Sequence, residues 1–346
     1  MSGLALSPGF KIQAPHETHA CFSLVQCIQM HNEQEFAPIV LKSIYDEVDQ
    51  IIVIEGAVAN RANSTPDGHS IDSTWDIIKD FQANHDPKKK ILSIKIRKPW
   101  KNLEEMKQTF IDLTNEGDWL IINDADEIYK PEDIRRVRSA IELHPHACEF
   151  IPTFLHFYRD FKHVYAPAAE WQPQHQRIFK RINGMKYNSH PIVTLPDNTC
   201  SYFSMHLQHR RYLLNNFFIY HYGYARSGMD AIMAEKQVYY KKELAGHGRA
   251  DIKFDLKAKE WTDRSEPNDN ILVFPLENHP AVMKDHPMYS FTDEGFSLKS
   301  FKTWDKDKLY SKILANEPYG NIWLCMNRLA SPALPFFHNQ VSINPT

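Results

Sequence analysis

The first part of the chain alternates between short apolar runs and segments whose apolar residues recur at helical spacing. The apolar runs are nearly continuous, which is typical of strands buried on both faces of a parallel sheet. They lie at 21–29, 50–55, 91–96 and 119–124. Apolar residues three and four positions apart predict a helix after each run. The helical stripes are Phe36, Ile39, Val40 and Ile44; Trp75, Ile78 and Phe81; Leu103, Met106, Phe110 and Leu113; and Ile134, Val137 and Ile141.

This alternation of strands and helices predicts an α/β fold with a mostly parallel sheet. Beyond residue 145 the pattern changes to shorter, aromatic pieces that also indicate strands, at 150–158, 176–180, 187–194 and 217–224. From about residue 251 the sequence is polar and spotted with proline, and two short helices are predicted at 309–314 and 322–329. We divide the chain into an N-terminal tail (1–20), a first half of the main domain (21–145), a second half of the same domain (146–250) and a C-terminal extension (251–346).

The fourth apolar run ends in the acidic sequence Asp124-Ala125-Asp126-Glu127. Residues two apart on a strand point the same way, so Asp124 and Asp126 share a face if the strand continues. Carboxylate oxygens suit Mg²⁺ or Mn²⁺ better than a softer zinc site. The alternative is that these acids merely precede a helix, whose first turn is predicted at Pro131-Glu132-Asp133. Because parallel sheets bind ligands at the carboxyl ends of their strands, we predict a divalent metal site that serves a diphosphate.

Composition limits the class of protein. With 346 residues, 42% of them hydrophobic, the chain can bury a sizeable core. A net charge of −3 provides no global basic field for nucleic acid or an anionic membrane. The five cysteines fit neither a disulfide framework nor a zinc-binding spacing, which indicates reduced thiols. The sequence shows no signal peptide and no apolar run long enough for a membrane span, so we expect a cytoplasmic protein.

Four short motifs follow one another along the first half of the chain. They are Asn32-Glu33 at the end of the first strand, Glu55 at the end of the second strand, a Ser-x-Asp-x-Thr segment at 70–74, and an Asp-x-Asp that ends the fourth strand at 124–126. Four motifs in this order resemble those of the family 2 glycosyltransferases of the GT-A fold. The resemblance covers about residues 21–145 and extends weakly to 245. Glu55 in place of the usual Asp, with a longer loop at 56–70, is also similar to transferases that add N-acetylglucosamine to a mannose core.

This resemblance implies a GT-A type fold, with a Rossmann-like, mostly parallel sheet, helices on both faces and a C-terminal extension. It implies transfer of a sugar from a nucleoside-diphosphate sugar to an acceptor hydroxyl, with inversion, and a Mn²⁺ or Mg²⁺ cofactor. Asn32, Glu33, Glu55 and Asp72 would line the nucleotide pocket. Asp124 would meet the ribose or the metal, and Asp126 would bind the metal.

Residues of the second half complete the expected site. The histidine in the aromatic segment 217–224, His221, is similar to the late histidine with which many such enzymes complete the metal shell, and His190 is the alternative. Basic groups help to hold an anionic donor, and Arg177 and Arg226 are the favoured candidates. Lys180 and Lys236 are further basic candidates.

The sequence indicates the general base less clearly than any other residue of the expected site. An inverting transfer needs a carboxylate or imidazole near the acceptor hydroxyl. Glu170 is favoured because it lies where an acceptor-facing loop can hold it, beside Trp171, which can stack on a sugar or a base; His190 is the second choice. The other candidates after the metal motif are Asp160, His175 and Asp197.

Two other functions remain as alternatives at this point. A nucleotidyltransferase acting on a sugar phosphate shares an acidic metal site, but it normally has a glycine-rich phosphate loop, and residues 30–35 contain no glycine. A non-catalytic binding protein is disfavoured because Asp124 and Asp126 are both present.

The sequence does not specify the acceptor of the sugar. The candidates are a glycan, a lipid-linked sugar, a protein and a modified DNA base. The DNA base is included because of local basic clusters such as 88–90.

Overall fold

The computed structural model describes most of the main domain and short pieces of the remainder. The described residues are 22–165 except 60 and 62, then 177–189, 192–194, 211–228 and 271–292, with short pieces at 254–255, 260–261, 302–303 and 323–325. Within these residues, no helix has both the length and the apolar character needed to cross a membrane. The N-terminal tail, 1–20, lies outside the described residues.

The first half forms the predicted alternation of strands and helices. Its elements are β1 (Leu24–Met30), α1 (Ala37–Ser43), β2 (Gln50–Glu55), α2 (Thr74–Asn84), β3 (Ile91–Lys95), α3 (Leu103–Asp112) and β4 (Trp119–Asp124). The four strands are parallel and lie in the order β3-β2-β1-β4. This order is that of four neighbouring strands of a Rossmann sheet, 3-2-1-4, in which all carboxyl ends face the same edge.

The chain after β4 continues the same sheet. β5 (Glu127–Ile128) and α4 (Pro131–Leu143) complete the first half. The second half contributes β6 (Glu149–Tyr158), β7 (His163–Tyr165), β8 (Ile178–Lys180), β9 (Lys186–Ser189), β10 (Ile192–Thr194) and β11 (Arg211–Tyr224). The C-terminal extension contributes β12 (Phe254–Asp255), β13 (Glu260–Trp261), β14 (Ile271–Val273), β15 (Lys302–Thr303) and β16 (Trp323–Cys325). β9 with β10 and β12 with β13 form two separate two-stranded sheets. β8 joins β4 antiparallel, and β6 joins β8 antiparallel. Beyond β4 the sheet is therefore mixed.

The helices cover both faces of the sheet, as the sequence predicts. Alternate residues of β1 point to opposite sides, so Leu24 and Ile28 enter one apolar core while Val25 and Cys27 enter the other. α1, α2 and α4 contribute buried residues to the first core, and α3 contributes to the second. The α/β class is confirmed, and the arrangement is consistent with a Rossmann-like GT-A fold.

Strand β11 connects the second half of the chain to the end of β4. It runs parallel to β6, with His221 opposite His156, and antiparallel to β5, with His221 opposite Glu127. β5 follows Asp126 directly, so this pairing brings the far end of β11 to the carboxyl edge of the parallel strands. The aromatic segment predicted as a strand at 217–224 is confirmed as part of β11.

One predicted helix is wrong within the described residues, and the helix predicted at 309–314 lies outside them. The pattern at 322–329 predicted a short helix, whereas Trp323–Cys325 is the strand β16, paired parallel with Tyr212–Leu214 of β11. The edge of β11 offers backbone donors and acceptors to this segment, and such pairing overrides a weak local helical preference.

Residues 271–292, here called the C-terminal strap, pack on the first core through two 3₁₀ helices, Leu276–Asn278 and Ala281–Asp285. Burial lowers the pKa of His279 to about 4, so this ring is neutral at neutral pH. Its Nε2 must donate to the carbonyl of Phe161, at 2.8 Å, and its Nδ1 therefore accepts from the hydroxyl of Tyr222, at 2.7 Å. Tyr222 lies beside His221 in β11, so the strap fixes the strand that carries His221.

Candidate metal and donor site

Asp126 lies in the turn between β4 and β5. β4 ends at Asp124, so the strand does not continue through the acidic motif. The backbone N–H of Tyr222 donates to the carbonyl of Asp126 at 2.9 Å. This hydrogen bond holds the turn against β11. His221 Nε2 then lies 3.7 Å from Asp126 Oδ1. The predicted pair of Asp126 and His221 is therefore brought together by backbone pairing rather than by flexible side chains.

Gly223 leaves the space between these two side chains open. A Cβ atom at Gly223 would lie 2.7 Å from His221 Nε2 and 2.9 Å from Asp126 Oδ2, closer than real Cβ contacts allow. Among the residues that the structure describes, no three His, Cys, Asp or Glu side chains are grouped so that they could hold a metal ion. At phosphate sites, however, Mg²⁺ is usually held by only one or two carboxylates of the protein, and substrate phosphates and water supply the other ligands. The arrangement therefore fits a metal that binds together with a phosphate ligand.

Replacing Gly223 by alanine is expected to lower Mn²⁺ affinity by at least about tenfold, the scale of loss when a ligand's orienting contacts are disturbed. The new methyl group displaces the ends of His221 and Asp126, which can move without unfolding the strand. Calorimetry with Mn²⁺ and a nucleoside diphosphate measures the effect, and thermal unfolding monitors the fold.

Gly117→Ala is the matched control, because Gly117 precedes the opposite end of β4 and a Cβ there meets nothing within 4 Å. Its φ of +92° strains any other residue, so this variant should lose stability while keeping Mn²⁺ affinity. Equal Mn²⁺ affinity in Gly223→Ala and the parent protein would contradict the site.

Arg226 lies on the other side of Asp126. Its guanidinium donates to both oxygens of Glu33, at 3.2 and 2.9 Å, and its Nη1 lies 3.8 Å from Asp126 Oδ2. Burial acts to lower the pKa of Arg226, but the carboxylates of Glu33, Asp126 and Glu35 raise it by more. Arg226 therefore remains a fixed cation, and its buried Nε has no hydrogen-bond partner among the residues that the structure describes.

Glu35 places a further carboxylate beside Arg226. The backbone N–H and the hydroxyl of Ser227 both donate to Glu35, and His286 of the C-terminal strap lies 3.5 Å from it. Arg226 therefore lies within electrostatic reach of the carboxylates of Glu33, Glu35 and Asp126. Carboxylates grouped in this way favour the binding of a divalent cation.

Asp124 belongs to a different, buried group of charges, here called the charge cluster. Its two oxygens face Gln29 and Lys107 on one side and Arg177 on the other, with Arg177 Nη2 at 3.2 Å and Lys107 Nζ at 3.7 Å. Arg177 also donates to both oxygens of Glu127, at 2.8 and 2.6 Å. Burial raises the pKa of Glu127 to about 7 and lowers that of Lys107 to about 8. The two carboxylates of the predicted Asp-x-Asp pair therefore have different surroundings. Asp124 faces Lys107 and Arg177, whereas Asp126 faces His221.

Glu55 lies at the end of β2 and is fully buried. One oxygen accepts from the backbone N–H of Ser70 at 2.7 Å, and the other accepts from His69 Nδ1 at 3.1 Å. His69 Nε2 in turn lies 3.2 Å from Asp67. Both oxygens of Glu55 therefore hold the loop 56–70 against the sheet edge.

Asn32 and Asp72 join the ends of β1 and α2. Asn32 has a left-handed φ of 56°, and its side-chain oxygen accepts from the N–H of Ile71 at 2.9 Å. Asp72 accepts from the N–H of Gln34 at 3.1 Å and from the N–H of Thr74, the first residue of α2, at 3.0 Å. The residues expected to line a nucleotide pocket therefore lie together at the carboxyl edge of the sheet, where they connect its loops.

Several expected residues lie outside the described part of the chain. These are both candidate catalytic residues, Glu170 and His190, and the candidates His175, Asp197 and Lys236. Asp160 is described and is buried, with its carboxylate 2.7 Å from His163 Nδ1.

Sequence reasoning missed four residues of the site region. Lys107 has a readable signal, because it stands four residues after Leu103 and three before Phe110 and so interrupts an apolar stripe. Gly223 sits inside an aromatic strand, where glycine indicates a close approach of neighbouring groups. Glu35 and His156 have no local signal, since only the pairing of distant elements gives them their roles.

Comparison with known proteins gives distant structural likenesses. The chain matches no protein-family model and no curated protein. It is similar to residues 1–349 of S. aureus TarS, with a TM-score of 0.35, 10% identity and coverage of 62% of this chain and 65% of that chain. It is also similar to the mannosyltransferase PcManGT from Pyrobaculum calidifontis, in complex with GDP-Man and Mn²⁺, with a TM-score of 0.38, 13% identity and coverage of 66% and 64%.

A third likeness is to mannose-6-phosphate isomerase from Helicobacter pylori, with a TM-score of 0.26, 11% identity and coverage of 47% of this chain and 62% of that chain. The chain spans less than two thirds of the length of each of these three proteins. At TM-scores this low, the likenesses do not indicate an activity for this chain. Its activity has to be inferred from its own residues.

Proposed function

We propose that this chain is a metal-dependent glycosyltransferase that moves a sugar from a nucleoside-diphosphate sugar to an acceptor hydroxyl, with inversion. The observation that carries the proposal is the pair of Asp126 and His221, which face each other across the space kept open by Gly223. This pair lies where the parallel strands end, the place at which α/β sheets bind nucleotides. The four sequence motifs that resemble family 2 glycosyltransferases support the same function.

The charges around the pair suit departure of a nucleoside diphosphate. Asp126 and His221 would hold Mn²⁺ or Mg²⁺, which when bound supplies positive charge at the oxygen where negative charge develops. Arg226 adds a permanent cation beside them, and its two hydrogen bonds to Glu33 fix its direction. Carboxylates alone would repel the diphosphate, so the cations make this acidic edge compatible with an anionic donor.

The same region disfavours the nucleotidyltransferase alternative. Enzymes with a phosphate-binding loop present backbone N–H groups and glycines to the phosphates at the start of the first helix. Here the connection from β1 to α1 contains Glu33 and Glu35 instead. Two carboxylates at this position repel a directly bound phosphate. Glu170 and His190 remain the candidates for the general base that receives the acceptor proton.

Calorimetry of Mn²⁺ binding tests the proposal directly. Because the described site supplies two protein ligands, we expect weak Mn²⁺ binding to the protein alone and at least about tenfold tighter binding with UDP, GDP or another nucleoside diphosphate. The matching nucleoside monophosphate is the control, since it lacks the β-phosphate. Hydrolysis of a panel of nucleotide sugars, with Mn²⁺ and with chelator, then identifies the donor. The proposal fails if no nucleoside diphosphate changes Mn²⁺ affinity and no nucleotide sugar is hydrolysed.

A further inference from the structure

His156 touches His221 on the side opposite Asp126. The two histidines are register partners on the parallel strands β6 and β11, and their Nδ1 atoms are 2.8 Å apart. The rings are nearly perpendicular, at 81°. Phe154 stacks on the His156 ring with an interplanar angle of 10° and a centroid distance of 5.4 Å, which holds the plane of that ring. The contact between the two imidazoles is therefore fixed by strand pairing and by stacking.

The contact restricts the protonation pattern of both rings. Two ring nitrogens at hydrogen-bond distance share one proton, so one ring donates and the other accepts. His221 presents its other nitrogen, Nε2, to the space between itself and Asp126. A metal can bind that nitrogen only through its lone pair, which requires the proton of the neutral His221 ring to be on Nδ1. His221 must then donate to His156, and His156 must carry its own proton on Nε2.

We propose that His156 is a positioning residue that accepts the Nδ1 proton of His221 and so keeps Nε2 of His221 in its unprotonated, metal-binding form before the metal arrives. The proposal rests on the proposed function, in that His221 is taken as a metal ligand. It extends that function to a residue that touches neither donor nor metal. Partners that hydrogen-bond the second nitrogen of a ligating histidine typically change metal affinity by about ten- to a hundredfold.

Three substitutions at position 156 separate this role from simple packing. His156→Phe keeps a ring beside Phe154 but removes the acceptor, so Mn²⁺ affinity in the presence of the nucleoside diphosphate should fall about ten- to a hundredfold. His156→Asn can place an amide oxygen close to the former Nδ1 position and should recover most of that affinity. His156→Gln carries the same amide one bond further out and should not. Calorimetry measures all three, with thermal unfolding as the check on folding.

Nitrogen NMR of ¹⁵N-histidine-labelled, metal-free protein provides a readout that does not depend on metal binding. The parent protein should show His221 protonated at Nδ1, with the signal assigned by its loss in His221→Asn, and His156→Phe should lose this preference. His156→Phe with parental Mn²⁺ affinity, or a proton on Nε2 of His221 in the metal-free parent protein, overturns the proposal. Failure of the parent protein to bind Mn²⁺ with any nucleoside diphosphate overturns the proposed function instead, while the NMR result still decides whether His156 is the acceptor.

Discussion

Replacing Asp126 by asparagine is expected to lower Mn²⁺ affinity by at least about a hundredfold in the presence of a nucleoside diphosphate, and to abolish most sugar transfer. The expected loss exceeds the ten- to hundredfold cost of disturbing a ligand's neighbours, because the substitution removes the ligand's charge. It also removes the carboxylate that Arg226 faces at 3.8 Å, so Glu33 and Glu35 are the described carboxylates that still raise its pKa. Calorimetry and transfer assays measure both effects.

Asparagine is the suitable substitution because Asp126 is only 7% exposed. An isosteric change preserves the packing and isolates the charge. Asp112→Asn is the matched control, since Asp112 is an exposed residue at the end of α3 whose side chain accepts a surface hydrogen bond from Gln108. Unchanged Mn²⁺ affinity in Asp126→Asn would remove Asp126 from the site.

Replacing Arg177 by methionine is expected to destabilise the protein by about 3–5 kcal/mol. Arg177 and Glu127 are both almost completely buried, with side-chain exposures of 3% and 1%, and they share two short hydrogen bonds. Without the guanidinium, Glu127 is left as a buried carboxylate that must either stay unpaired or take up a proton. Urea unfolding followed by fluorescence measures the loss of unfolding free energy.

Two further variants give this prediction its controls. Arg135 pairs with Glu47 on the surface, and Arg135→Met should cost less than about 1 kcal/mol. The double variant Arg177→Met/Glu127→Gln removes the charge that is left behind, so it should recover part of the stability lost in Arg177→Met. Similar costs for Arg177→Met and Arg135→Met would show that the charge cluster contributes no more than a surface ion pair.

The elements of the first half follow from local pattern. A buried parallel strand such as β2 is a continuous apolar run, and a helix such as α4 begins at a proline followed by two acids, so both are visible within a short window of sequence. Leu113 shows the limit of such reasoning. It fits the stripe of α3, but the helix ends at Asp112 and Leu113 is 41% exposed. Helix ends depend on the following turn, which apolar spacing does not specify.

The site itself is less readable because it depends on pairing between distant strands. The sequence indicates that His221 and Asp126 carry chemistry, but only the register of β11 against β5 brings them together. Arg177 shows the converse problem. A basic residue after the acidic motif suggests a contact with the donor, whereas the structure pairs it with Glu127, and composition alone does not distinguish a buried ion pair from a ligand contact. Its expected role in donor binding stays a prediction.

The pairing of β11 with β5 has a consequence for how the protein is made. Asp126 is synthesised early and its partner strand late, and contacts between such distant segments form slowly because a long intervening loop must close. A nascent chain that has emerged only as far as β7 already has its parallel strands and Asp126, but it lacks His221, Gly223 and Arg226. Such a chain should bind neither metal nor donor. The onset of nucleotide-dependent Mn²⁺ binding during refolding should therefore report the docking of β11 rather than the formation of the first sheet.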